Sequence, residues 1–277
     1  MAFNQLTRCK FSLNNFQCAL GQKKNGVQFG GGVILNNFMK RKHRDISVNI
    51  NNILINTTAD YQKGFDVVRD NIRTNKINVN IGGDHSISAA SIQPLLDYYK
   101  QDLLVIWIDA HADLNTYDAS LTKNMHGMPV GALTGLMDHW YKDTANKSNR
   151  TILDVKNLLY VGIRDLDVFE WDTITKRNIR YFPTYTSDVI QFIKAHPARH
   201  IHISCDIDSM NPHIMPSTGT PVPHGLTLKN VTNIIKTAKP RLIGFDLVEF
   251  NPLIGNKRQV RTTLNNIHRL LTKVVDS

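Results

Sequence analysis

The run Leu103 to Trp107, five apolar residues that lead directly into Ile108-Asp-Ala-His-Ala-Asp113, restricts the possible folds more than any other stretch. An uninterrupted apolar run of this length predicts a strand buried on both faces, which calls for a sheet covered by helices on each side. Asp109, His111 and Asp113 follow at every second position. Side chains alternate across an extended backbone, so this spacing predicts all three on one side. Two carboxylates and an imidazole held together bind divalent cations well. A polar loop after a strand often carries the same residue types, so the triplet needs support from elsewhere in the chain.

Other strand ends supply it. Ile77 to Ile81 reads as a short strand ending in Gly82-Gly-Asp-His-Ser86, where Ser86 is expected to cap a helix running to about Tyr99. Leu158 to Ile163 is an apolar strand leading to Arg164-Asp-Leu-Asp167, with Glu170 close behind. Arg199 to Cys205 runs into Asp206 and Asp208, again at a spacing of two, and Leu242 to Leu247 runs towards Glu249. Helices are expected at about Asp60–Thr74, from His126 through Met137, and at about Thr227–Ala238 and Thr262–Val275. Alternating strands and helices predict an α/β protein with a mostly parallel central sheet covered on both faces. Ligands of such sheets bind beyond the carboxyl ends of the strands, where all the polar motifs fall. A lone His85 or an isolated Asp165/Asp167 pair is most often structural. Two acid clusters together with His85 point instead to a two-metal site.

With 277 residues, 42% of them hydrophobic, and no linker or repeat, the chain is read as one domain over residues 1–277. No apolar run approaches the length of a membrane span, and neither a membrane nor a nucleic acid is an expected partner. Cys9, Cys18 and Cys205 are odd in number and unpatterned, which favours a reducing, cytoplasmic setting over a disulfide framework. The net charge is +10, and residues 1–44 hold eight basic residues and no acid, leaving 25 basic against 23 acidic in the remainder. Such a start fits an organellar transit segment or a polyanion contact. The run Lys40 to Arg44 is assigned to a solvated face. The glycines between Gly21 and Gly32 match neither a dinucleotide fingerprint nor a P-loop and are expected to allow tight turns or close approach to another element. Residues 1–20 carry little signal.

Taken together, GGDHS (Gly82–Ser86), DAHAD (Asp109–Asp113) and SCDID (Ser204–Asp208) resemble the ureohydrolase superfamily of arginases and agmatinases, with matching motifs from about Gly21 to Pro252. The resemblance is strongest to arginases. It implies a three-layer α/β/α fold and two Mn²⁺ per chain, held by His85, Asp109, His111, Asp113, Asp206 and Asp208. Four ionised Asp would balance two such ions, and oxygen-rich coordination with some imidazole suits manganese. It implies hydrolysis of L-arginine to L-ornithine and urea, with His126, Asp113 and Glu249 as catalytic residues and His126 transferring a proton. Asn115, Ser120 and Thr122 match positions that hold the substrate carboxylate; Asp165, Asp167 and Glu170 match those around its ammonium group. Thr220 and Glu249 match contacts to the guanidinium. A homo-oligomer, trimer or hexamer, is implied as well.

The chain departs from the arginase pattern at Gln28 and Gly31, at Lys123, where a smaller residue is usual, and at His224, which replaces a glycine. Two alternatives stand beside the arginase reading: an agmatinase or guanidino-acid hydrolase, and a catalytically idle relative serving in binding or oligomerisation.

Overall fold

The computed structural model describes residues 11–41, 48–138, 140 and 150–276. Its centre is an eight-stranded sheet in which every pairing is parallel. The strands are β1 (Phe11–Cys18), β2 (Val48–Ile55), β3 (Ile77–Ile81), β4 (Leu103–Ile108), β5 (Leu158–Val161), β6 (Arg180–Phe182), β7 (His200–Asp206) and β8 (Leu242–Val248). Their spatial order is β2-β1-β3-β8-β7-β4-β5-β6.

The central run behaves as its sequence predicts. All six residues of β4 are fully buried. Leu104, Ile106 and Ile108 pack into one core, and Leu103, Val105 and Trp107 into the other. The first core is closed by α1 (Gly30–Met39), α6 (Ser187–Ala195), α7 (Leu228–Ala238) and α8 (Lys257–Val275). The second is closed by α2 (Tyr61–Arg73), α3 (Ser88–Tyr99), α4 (Pro129–Leu133) and α5 (Val168–Arg177). Two helical layers on one parallel sheet give the three-layer α/β/α architecture that the resemblance implied.

β1 gave no readable strand pattern, because part of its interior face, like that of β3, is polar. Positions that face the interior carry asparagine: Asn14, Asn78 and Asn80 are fully buried. Asn14 Nδ2 donates to Asn80 Oδ1 at 2.7 Å and to Asn78 Oδ1 at 3.2 Å, and Asn51 Nδ2 donates to Asn14 Oδ1 at 2.8 Å. Buried amides are tolerated where they satisfy one another, so a polar ladder here takes the place of an apolar stripe.

The glycine-rich stretch does two things. Gly30 to Gly32 open α1, and a Cβ on Gly30 would lie 2.2 Å from the Phe250 carbonyl oxygen. Both expectations are met: Gly26 turns the chain with a φ of 114°, and Gly30 and Gly31 allow close approach.

Several helix ends moved. The cap at the start of the α3 region is Asp84, whose carboxylate accepts from Ser86 N at 3.1 Å, and not Ser86; α3 begins only after a 3₁₀ turn over His85–Ile87. The helix expected through Met137 stops at Leu133. The last helix starts at Lys257 rather than Thr262, because the Asn256 side chain accepts from Arg258 N and Gln259 N and caps it there. Cys18 and Cys205 are buried free thiols, whereas Cys9 and residues 42–44 of the basic run lie outside the described residues. Among the described residues, no helix is long and apolar enough to cross a membrane.

Candidate metal and substrate site

Five neighbouring strands, β3, β8, β7, β4 and β5, deliver their carboxyl ends to one place. His85 follows β3, Glu249 follows β8, Asp206 ends β7, Asp109 follows β4, and Asp165 lies beyond β5. The chain after β4 does not stay extended. Asp113 has a φ of 50°, a left-handed kink that turns its carboxylate back towards His85. The convergence anticipated from the spacing is therefore reached by a bend and not by a continued strand.

Two groups of candidate ligands share Asp109. His85, Asp109 and Asp113 form one, and Asp109, His111 and Asp208 form the other. His85 Nδ1 lies 2.9 Å from Asp109 Oδ2, 3.0 Å from Asp113 Oδ2 and 3.6 Å from Asp206 Oδ2. His111 Nδ1 lies 3.4 Å from Asp109 Oδ1 and 3.3 Å from Asp208 Oδ2. All six residues expected to hold metal thus converge.

The donor set fits a divalent cation. His85 Nδ1 is buried and has no hydrogen-bond partner, although three carboxylates crowd it. Its other nitrogen, Nε2, is 2.9 Å from Ser204 Oγ, and its ring stacks on Trp107 with centroids 4.1 Å apart. A buried imidazole fixed in this manner, with one nitrogen left over among carboxylates, is the arrangement of a metal-ligating histidine. The acids show the same crowding. Burial and the Asp109 charge raise the Asp113 carboxyl to about 6, and burial with the Asp208 charge raises Asp206 well above the usual carboxylate range. Asp109 goes the other way: burial opposes its ionisation, but the adjoining His111 and His85 imidazoles hold it low.

Beside these groups sits Glu249. It is buried, with a φ of 68°, and each oxygen is engaged. Oε1 accepts from His85 N at 2.9 Å and lies 3.0 Å from His126 Nδ1, while Oε2 accepts from Gln22 Nε2 at 2.6 Å. Burial alone would lower the basicity of His126, but the hydrogen bond and charge of Glu249 push it up to about 9. Burial would conversely raise Glu249, and its bond with His126 keeps it below its ordinary value.

A cleft of about 320 Å³ opens over these residues, lined by His111, Asp113, His126 and Thr220 on the sheet side. Asn115, Ser120, Thr122, Asp165, Asp167 and Glu170 line the same cleft. Thr220 Oγ1 donates to Asp208 Oδ2 at 2.8 Å. Asn115 Nδ2 donates to Asp167 Oδ2 at 2.5 Å, which leaves Asn115 Oδ1 buried without a partner. Glu170 accepts from Leu114 N and Asp167 N, so it braces the cleft wall through backbone amides; burial raises its carboxyl to about 8.

Sequence reasoning missed Gln22, Ser204, Trp107 and Asn124, the last of which also lines the cleft. Gln22 sits in a stretch whose only signal was glycine. Ser204 and Trp107 precede recognised ligands, and only the packing reveals that they hold His85. Lys123 and His224, two of the departures from the arginase pattern, adopt φ values of 58° and 61°, in the region that favours glycine.

Comparison with known proteins agrees with this geometry. The model of the arginase family matches residues 15–274. The arginase of Schizosaccharomyces pombe is 34% identical over 212 residues, a match covering 72% of this chain and 65% of that protein. Mus musculus arginase-1 is 33% identical over 215 residues, 72% of this chain and 66% of its own length. These matches thus span about two thirds of those relatives' length. Among solved structures, arginase from Bacillus subtilis superposes with a TM-score of 0.87 at 25% identity, covering 97% of this chain and 99% of that one. Entamoeba histolytica arginase in complex with L-ornithine gives 0.78 at 30% identity, with 95% and 97% covered. The chain belongs to the arginase family.

Proposed function

We propose that the chain is a dimanganese hydrolase that converts L-arginine to L-ornithine and urea. The observation that carries this reading is the arrangement of one cleft: two ligand groups sharing Asp109, the Glu249–His126 pair beside them, and an acidic and hydroxyl-bearing wall opposite. Arginine presents a guanidinium at one end and an ammonium and carboxylate at the other, so its site needs anions at two places and neutral donors at a third. The L-ornithine bound to the Entamoeba histolytica arginase supports the same choice.

His85, Asp109, Asp113 and Asp206 would hold one ion, and Asp109, His111 and Asp208 the other. What such ions supply when bound is acidification of a water and positive charge opposite the developing transition state. The chain's own residues do the rest. Glu249, held through both oxygens, orients the guanidinium. Thr220 stands at the guanidinium end with its hydroxyl fixed on Asp208. His126 gives its proton to the departing amine as the carbon–nitrogen bond breaks. Asp165 and Asp167 receive the ammonium group; Ser120 and Thr122 face the carboxylate. The proposed assembly is a homo-oligomer, trimer or hexamer, and the proposed setting is cytoplasmic.

A second reading, a ureohydrolase whose substrate lacks the carboxylate, is favoured by one contact. Asn115 spends its amide donor on Asp167 and offers the cleft an acceptor. On the arginine reading the amide turns over when substrate enters. Steady-state urea release from arginine, agmatine and guanidino acids, with and without added Mn²⁺, tests both. Manganese-dependent release strongly favouring arginine supports the first reading; equal kcat/KM for arginine and agmatine overturns it in favour of the second.

A further inference from the structure

The two helical layers treat their charges differently. On the α2/α5 side, acids and bases alternate and pair: Lys63 with Asp60, Arg69 with Asp66, Arg73 with Asp70, and Lys176 with Asp172. On the other side α6 holds a single acid, Asp188, and α1, α7 and α8 contain none. Along α8, Lys257, Arg261, Arg269 and Lys273 fall at multiples of four residues and are all exposed. They make a basic row that winds across the exposed side of a helix about 28 Å long, drifting about 40° per step of four residues. Arg258 stands beside its start.

Neighbouring helices widen the row. Arg41, just past α1, donates from Nη2 to Asn265 Oδ1 at 2.6 Å, and this bond brings exposed Lys40 alongside the middle of α8. Lys239, just past α7, donates to the Lys273 carbonyl oxygen at 3.1 Å, tying the far end of α8 to the helix that carries exposed Lys236.

Helix stability does not account for this charge. Lys257 and Arg258 occupy the first turn of α8, where the helix dipole favours acids and disfavours bases, and no acid is present there. The fold tolerates the placement without gaining from it. A second copy of the chain is a poor occupant, because two such faces repel. A single-stranded nucleic acid would want aromatic platforms, and sequence-specific recognition of a duplex an element that enters a groove. Among the described residues, α7 and α8 expose no large hydrophobic side chain, and apart from Arg258, which lines a cleft with His213 and Gln259, the basic groups stand on helix faces lying side by side. A bilayer with anionic headgroups asks only for a dense basic surface. Met39, exposed next to Lys40, adds an apolar group at the edge of that surface.

We propose that the α8 face, flanked by the ends of α1 and α7, is a peripheral docking surface for anionic phospholipid bilayers. The contact is electrostatic and reversible and involves no spanning segment.

The test is co-sedimentation of the full chain with phosphatidylcholine vesicles with and without phosphatidylserine, at low and at high salt. Binding should require phosphatidylserine and fade with salt, since exposed charges are screened. The combined variant Arg261→Gln, Arg269→Gln and Lys273→Gln should bind about a hundredfold more weakly, roughly fivefold for each charge removed. All three side chains are exposed, so its thermal melting should match the parent's, which separates lost binding from lost folding. Equal binding to both vesicle types, or undiminished binding by the variant, overturns the proposal. Displacement of the protein from vesicles by a duplex oligonucleotide would reassign the face to nucleic acid. Self-association that the triple variant abolishes would reassign it to a second copy.

Discussion

His126 and Glu249 form a buried imidazole–carboxylate pair, Nδ1 to Oε1 at 3.0 Å, and they come from chain segments 123 residues apart. Because the carboxylate also accepts from His85 N, this pair is joined directly to the candidate metal ligands.

His126→Asn should lower turnover by about 10²–10⁴-fold, the usual contribution of a positioned proton donor. Manganese content, measured by elemental analysis, should stay the same. Loss of metal in this variant would move His126 into the ligand set.

The same pair makes a pH prediction for the metal-free chain. The folded pKa of His126 is raised to about 9 from an ordinary 6.5, so protonated His126 stabilises the fold. This contribution is complete below pH 6.5 and is lost as the pH rises through about 9. Melting temperatures of the parent and of His126→Asn, taken with chelator present, should converge between those values as the pH is raised. A gap that widens with pH would contradict the assignment.

Gln22→Ala removes the donor on Glu249 Oε2 and leaves that buried oxygen unpaired. Hydrogen bonds to charged groups contribute about 1.5–3 kcal/mol, so kcat/KM should fall by roughly 10–150-fold while bound metal is retained. Unchanged kinetics would show that His85 N and His126 suffice to orient Glu249.

Asp109 belongs to both ligand groups and Asp208 to only one. Asp109→Ala should therefore abolish binding of both ions, whereas Asp208→Ala should spare the site of His85 and Asp113. Metal stoichiometry by elemental analysis after dialysis distinguishes the outcomes. Full stoichiometry in Asp109→Ala would show that the two groups do not share this residue.

Asn115→Ala should raise KM for arginine and leave agmatine turnover nearly unchanged. A binding site deprived of one buried hydrogen bond loses about 1–3 kcal/mol for the substrate that uses it. An equal loss for both substrates would mean that Asn115 acts by bracing Asp167, its partner at 2.5 Å, and not by contacting the carboxylate.

Much of this protein could be read from its residues alone. The apolar runs of β4 and β5 specify strands buried on both faces, because no other environment accepts such runs, and the acids and histidines just beyond these strands and beyond β3, β7 and β8 locate the site. That information is local: strand, turn and ligand lie within ten residues of one another. What the tertiary structure decided is non-local or runs against local pattern. β1 and β3 bury asparagines that are tolerable because Asn14, Asn51 and Asn80 satisfy one another across three strands. Gln22 became part of the site only when the fold brought it 2.6 Å from a carboxylate 227 positions away. The left-handed bends at Asp113 and Glu249 cost energy that their own sequences do not repay, and they persist because the packed ends of five strands hold them in place. Local chemistry thus named the ligands, while long-range packing selected the residues that orient them.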